Sequence, residues 1–261
     1  MPTSSSLRFG CLALAIFVLA PMASRAGLPY STQVAVLRWQ KDLEKADAFL
    51  RTGEWQKGEK AADGVVAAIV AHPTLPAKET AALLASALRL RGLGRIGQGQ
   101  RDAGVWDLEM VWNLDPGGPG LDLSPYRLES ESLVSELACY RARLEELWHL
   151  PAVAGAPPCR KIPTEGGRVV EEPMQVGGEV SRPQKIAGRM LAFFPAHLVG
   201  SVKAELLIDE KGCARHPVIL EGFRPLMVYT TLESMRDWKF RPAQFAGKPV
   251  PVYYRLTTTY R

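Results

Sequence analysis

Cysteine and histidine are scarce in this chain, and so are long apolar runs. Four cysteines in 261 residues exclude a disulfide-stapled miniature scaffold, in which about one residue in ten is cysteine. The four histidines, at 72, 149, 197 and 216, offer no paired spacing for zinc. No Lys/Arg cluster is dense enough to hold nucleic acid. No segment beyond residue 26 approaches the ~20 apolar residues that a spanning helix needs. What is present is core-forming material: 47% of residues are hydrophobic and 23% charged, a globular composition. The length allows one large domain or two ordinary ones.

The first 26 residues stand apart. Arg8 is the only charge before an apolar stretch from Phe9 to about Leu19, followed by Pro21 and Ser24-Arg25-Ala26. That is the pattern of a secretory signal peptide, with cleavage expected after Ala26 and a periplasmic destination. A retained inner-membrane anchor facing the periplasm is the alternative. Without residues 1–26 the chain keeps 30 Lys/Arg against 27 Asp/Glu. Residues 27–175 carry a net charge of −3 and residues 176–261 a net of +6, so a basic module follows a mildly acidic one. Such charge bears on partners and not on fold, and an acidic peptide suits it. Three cysteines remain, Cys139, Cys159 and Cys213. An odd number in an oxidising compartment implies one bridge and one free thiol. Cys139 with Cys159 is the expected bridge, and three unbridged thiols are the alternative.

Residues 30–150 read as an all-α domain. Val36, Trp39, Leu43, Ala46 and Leu50 recur at helical spacing, and Gly53 is a natural stop. Further helices are expected over about 54–71, 77–91 and 101–114. Ser124-Pro125 supplies the cap and first-turn proline of a fifth, which carries Leu133, Leu137, Tyr140, Leu144 and Leu147. Short connections imply antiparallel hairpins. Gly92 opening a turn, Leu108, and Leu114-Asp115-Pro116 at a helix end resemble the tetratricopeptide repeat (TPR); an unrelated helical bundle is the alternative. Residues 151–175 form a linker too rich in Pro and Gly for regular structure.

Residues 176–261 read as strand, strand, helix, strand: a small antiparallel sheet with one helix packed on it, giving a two-domain α+β chain. Val202, Ala204, Leu206 and Ile208 alternate along a half-buried strand. Asp209-Glu210-Lys211-Gly212 is a hairpin turn. Pro225 opens a helix with Val228, Leu232 and Met235 inward, and Val250–Tyr260 alternates as a last strand. Gly200-Ser201-Val202, Ile208-Asp209-Glu210-Lys211-Gly212, Trp238-Lys239-Phe240-Arg241-Pro242-Ala243 and Gly247-Lys248-Pro249-Val250 follow in order. Together they resemble the C-terminal domain of the TonB energy-transducer family. Phe194-Pro195 stands where the family has Tyr-Pro and a short helix, and the long Pro-rich spacer of full transducers is replaced by helices. The binding half of the family's function therefore carries over better than coupling to an inner-membrane motor.

The resemblance implies strand addition: an extended peptide of an outer-membrane receptor, or of another envelope protein, pairs with the edge formed by the last strand. The nominated residues are Val250, Val252, Tyr254, Arg255, Leu256, Thr258 and Tyr260, with Arg255 and Arg261 facing acidic peptide residues. The alternative is that the strand is core and solvated face, covered by the helical domain or by a second copy in a homodimer.

No catalytic constellation, cofactor motif or metal set is expected. Gly92-Leu93-Gly94-Arg95-Ile96-Gly97 spells G-x-G-x-x-G but follows a helix instead of a strand, so the dinucleotide reading fails. Cys213 and His216 are three apart on a strand and face opposite sides. Two functions stay open: a TonB-like peptide-binding protein linked to transmembrane transport, and a periplasmic scaffold of TPR-like hairpins whose C-terminal domain serves docking or dimerisation.

Overall fold

The computed structural model describes residues 27–72, 74–116, 121–149, 162–163, 169–170, 173–190 and 199–260. The chain divides into two compact units, one ending at Leu37 and one running from Arg38 to Arg261. In the first, Gln33 Nε2 donates to Leu28 O at 2.8 Å just inside the start of helix α1 (Tyr30–Arg51).

In the second unit α1 continues with Trp39, Leu43, Ala46 and Leu50 buried at the expected spacing. It stops at Gly53, whose φ of 82° is left-handed and lets Glu54 N reach Phe49 O at 2.8 Å. Helix α2 (Trp55–Val70) buries Ala62, Val65, Val66 and Ile69. Helices α3 (Ala77–Gly97) and α4 (Arg101–Leu114) follow, then a 3₁₀ turn at Ser124–Tyr126 and helix α5 (Glu131–Leu147).

Two expectations fail here for local reasons. Helix α3 does not end near Arg91; it runs through the glycine motif to Gly97, and the turn falls at Gly99, with φ 80°. Each glycine in a helix interior costs about 1 kcal/mol, and close packing offsets that cost. A Cβ would lie 2.8 Å from Gly104 O at Gly92, 2.8 Å from Glu59 Cβ at Gly94 and 2.2 Å from the Trp55 ring at Gly97. The G-x-G-x-x-G motif is thus a contact surface between helices. Nor does Ser124-Pro125 start α5. Arg127, at φ 55°, breaks the 3₁₀ turn, and Ser130 caps α5 by accepting from Leu133 N at 3.2 Å.

The remaining elements are short strands and one helix. Strands β1 (Ile162–Pro163) and β2 (Val169–Val170) pair antiparallel. Then come β3 (Met174–Gln175), β4 (Gln184–Ala187), β5 (Gly200–Ile208), β6 (Ala214–Glu221), helix α6 (Pro225–Met235), β7 (Lys239–Arg241), β8 (Ala243–Phe245), β9 (Lys248–Val250) and β10 (Val252–Tyr260). The main sheet has the order β3-β10-β5-β6. Its β10/β5 and β5/β6 ladders are antiparallel, as expected, but β3 joins β10 in parallel. The stretch 151–175, expected to lack regular structure, therefore holds strands at its described positions, the last within the main sheet.

The expected hairpin turn is present between β5 and β6. Asp209 Oδ1 accepts from Lys211 N at 2.9 Å and Cys213 N at 2.8 Å. Gly212 is required twice over: its φ is 77°, and a Cβ there would lie 1.8 Å from Phe240 O. The Trp238-Phe240 segment forms β7, which pairs with β4 instead of entering the main sheet. Alternation along a strand names its faces but not its partner.

One face of the main sheet is covered by α6. Val202, Ala204, Leu206 and Ile208 of β5 are buried, as are Val228, Leu232 and Met235 of the helix. Thr231 Oγ1 and Tyr260 Oη hydrogen-bond between helix and sheet. The architecture is mixed α+β, with a helical N-terminal half and a small C-terminal sheet. Among the described residues, no helix is long and apolar enough to cross a membrane.

Candidate functional site

A sheet has two edges, and each must be paired, covered or left open. The helical layer covers the β6 edge with side chains that act as a surrogate strand. Asn113, in α4, donates from Nδ2 to Pro217 O at 2.9 Å and accepts from Ile219 N on Oδ1 at 2.8 Å. The Tyr140 hydroxyl of α5 donates to the same Pro217 O at 2.7 Å, and Trp148 Nε1, just past α5, donates to Ile219 O at 2.6 Å. Two consecutive outward carbonyls and the N–H between them are thereby satisfied. Sequence periodicity placed Tyr140 inside but gave no sign of these backbone bonds, because capping a strand from a helix leaves no period.

The β10 edge is different. β10 pairs with β5 along its whole length, from Val252↔Ile208 to Tyr260↔Gly200, without a bulge. On its outer side β3 takes only Val252 and Tyr253. From Tyr254 onward that side has no partner strand among the described residues. Pro251 O accepts from Met174 N at 2.9 Å and so faces outward. Alternation then points the backbone groups of Tyr253, Arg255, Thr257 and Thr259 to the same side. The open donors and acceptors are those of Arg255, Thr257 and Thr259, all with exposed side chains.

The nominated residues are distributed as follows. Val250 lies on β9 opposite Ala243. Val252 and Tyr260 are buried. Tyr254, Leu256 and Thr258 are half-buried, and the Tyr254 ring meets Phe240 edge-on with centroids 6.2 Å apart. Arg255 is 56% exposed and already engaged, with Nε 2.8 Å from Glu205 Oε2. Arg261 lies outside the described residues. Thr257 and Thr259, whose backbone faces the open side, were not nominated, although the alternation of the strand names them once one outward group is known.

Glu205, 2% exposed, is shared between strand and helices. Arg143 of α5 binds its Oε1 at 2.6 Å and stacks on the Tyr253 ring at 4.3 Å. A second charged cluster ties α6 to the helical layer. Arg91 donates twice to Asp107, at 2.9 and 2.7 Å, and also to Glu233 at 2.8 Å. Burial opposes the Arg91 charge, but Asp107 and Glu233 outweigh it and raise its pKa.

Between α4, α5 and the sheet lies a cavity of about 260 Å³. His216, at φ 47°, hydrogen-bonds Glu109 through Nδ1 in its deep part. Burial disfavours the charged imidazole, but Glu109 and Glu136 outweigh it and raise the His216 pKa. For Glu136 the balance is reversed: burial outweighs His216 and Arg101, and its carboxyl pKa is raised. Among the described residues, no group of three His, Cys, Asp or Glu is placed to hold a metal. Cys139 is disulfide-bonded and Cys213 is free; the expected partner, Cys159, lies outside the described residues. No family model, curated protein or solved structure matches the chain.

Proposed function

We propose that the chain is an exported, non-enzymatic binding protein of the periplasm whose C-terminal module, similar to that of TonB, takes an extended peptide of an outer-membrane receptor or envelope partner by strand addition along β10. One observation carries the reading: of the two edges of the main sheet, the helical layer satisfies β6, while β10 offers outward backbone groups at Arg255, Thr257 and Thr259. Main-chain pairing supplies affinity in such a complex, and side chains flanking the edge select the sequence. The disulfide at Cys139 supports residence in an oxidising compartment. Peptide capture of this kind serves transport across the outer membrane without requiring the chain to transmit force. TPR-like hairpins, in this reading, hold and orient the sheet.

The test is isothermal titration of the full chain with extended peptides from outer-membrane receptors. Proline at an outward position removes a pairing donor without touching the β5 ladder. Thr257→Pro is therefore expected to weaken a captured peptide about tenfold, the value of one lost hydrogen bond, while Thr257→Ala leaves it unchanged. Equal affinity in a folded Thr257→Pro variant sinks strand addition along this edge.

A further inference from the structure

Cys213 sits at the exposed side of the cavity between helices and sheet. It is a free, half-buried thiol, and the Lys239 ammonium donates to its Sγ at 3.2 Å. Lys239 makes no ion pair with a carboxylate among the described residues, unlike Arg215, which holds Asp102 at 2.5 Å, and Arg236, which holds Glu233 at 3.0 Å. A second observation points into the same space. Trp106 lines the cavity and is 4% exposed, and its indole Nε1 has no hydrogen-bond partner among the described residues. A buried donor left without an acceptor is destabilising, and an occupant bearing a carbonyl or carboxylate would satisfy it.

We propose that Cys213 is a thiolation site: it exchanges with a low-molecular-weight disulfide whose halves carry carboxylates, of cystine or glutathione-disulfide type, and the resulting adduct occupies the cavity. In the exchange Cys213 Sγ, as the sulfur anion, attacks one sulfur of the incoming disulfide. The bond from Sγ to that sulfur forms as the incoming S–S bond breaks. The second half leaves as a thiolate and takes up the proton that Cys213 released. Cys213 is oxidised to a mixed disulfide, and the reagent is reduced to one thiol. Lys239 offsets the charge on the attacking sulfur and then faces the carboxylate of the adduct. The Trp106 N–H gains an acceptor. About 260 Å³ lies below the range typical of drug-sized ligand sites, which suits a small thiol and excludes a protein chain. The inference is independent of the β10 edge.

Intact-mass spectrometry of the full chain, with the Cys139 bridge left oxidised, tests it. Three disulfides are compared: cystine (ammonium and carboxylate groups, net neutral), hydroxyethyl disulfide (no charged group) and cystamine (the same ammonium groups without the carboxylates, net cationic). A single adduct on Cys213 is expected, absent in Cys213→Ser. Cystine is expected to react about fivefold faster than cystamine at low salt, with the gap closing at high salt as an exposed charge is screened. Lys239→Gln, a change on an exposed side chain, is expected to abolish the preference. Absence of an adduct, cystamine reacting as fast as cystine, or a preference that survives in Lys239→Gln overturns the proposal.

Discussion

His216 shows how far a single residue departs from its pattern. Its place on an alternating strand was legible, but its backbone is left-handed, a conformation that His, Asn and Asp tolerate better than most. Its imidazole is buried against Glu109. Because the folded pKa is raised, the stabilising pair is complete below the unfolded value of about 6.5 and is lost as pH rises through the folded value. His216→Asn keeps the backbone preference and removes the titration. The gap in melting temperature between wild type and this variant is expected to shrink steadily from pH 6 to pH 9. A gap that stays constant or widens would show that the imidazole contributes no charge there. Glycine is the second residue-scale lesson. At Gly53 and Gly212 the turn signal was sound, whereas at Gly92 the same residue type serves contact between α3 and α4, and nothing local distinguishes the two uses.

At the scale of elements, hydrophobic periodicity located the elements well, even where burial extends round the whole helix, as in α4 and α6. Helices α4 and α6 and strands β5 and β6 fall where the apolar spacing puts them. What spacing does not encode is the partner. β7 belongs with β4, β3 with β10, and the outer side of β6 with side chains of α4 and α5. The last pairing makes Asn113 the residue on which that edge depends. Asn113→Ala strips the acceptor from Ile219 N and one of two donors from Pro217 O, leaving a buried N–H orphaned. A cost of about 2 kcal/mol is expected in urea unfolding, with the slope unchanged. Asn113→Asp is expected to be worse, since it keeps the acceptor and sets a carboxylate against Pro217 O. A loss below about 0.5 kcal/mol for both would mean that water replaces the amide at the edge.

The whole second unit is held by polar contacts that cross between helices and sheet. Arg91 joins Asp107 of α4 to Glu233 of α6, and Arg143 of α5 reaches Glu205 of β5. Buried charges of this kind are costly once one partner is removed, typically by 3–5 kcal/mol. A fragment of residues 176–261 is therefore expected to lose its independent monomeric fold, exposing the β6 edge and stripping Arg91 from Glu233 and Arg143 from Glu205, which keep only Arg236 and Arg255. Circular dichroism with sedimentation would show it aggregated or unfolded; a stable monomeric fragment would contradict this. The sequence had suggested halves joined by a linker because composition changes near residue 151. Charge complementarity between sequence-distant residues has no local signature, so the interface was not legible.

The unequal treatment of the two sheet edges also fixes how such molecules can associate. Growth of a filament by strand pairing requires each chain to present two complementary open edges, one to receive and one to donate. Here the β6 side of the main sheet is capped at Pro217 and Ile219 by Asn113, Tyr140 and Trp148, and β10 is that sheet's open side among the described residues. The valence of the main sheet for strand pairing is one. Two copies meeting through β10 would close around a two-fold axis and stop, and a bound peptide would terminate association in the same way.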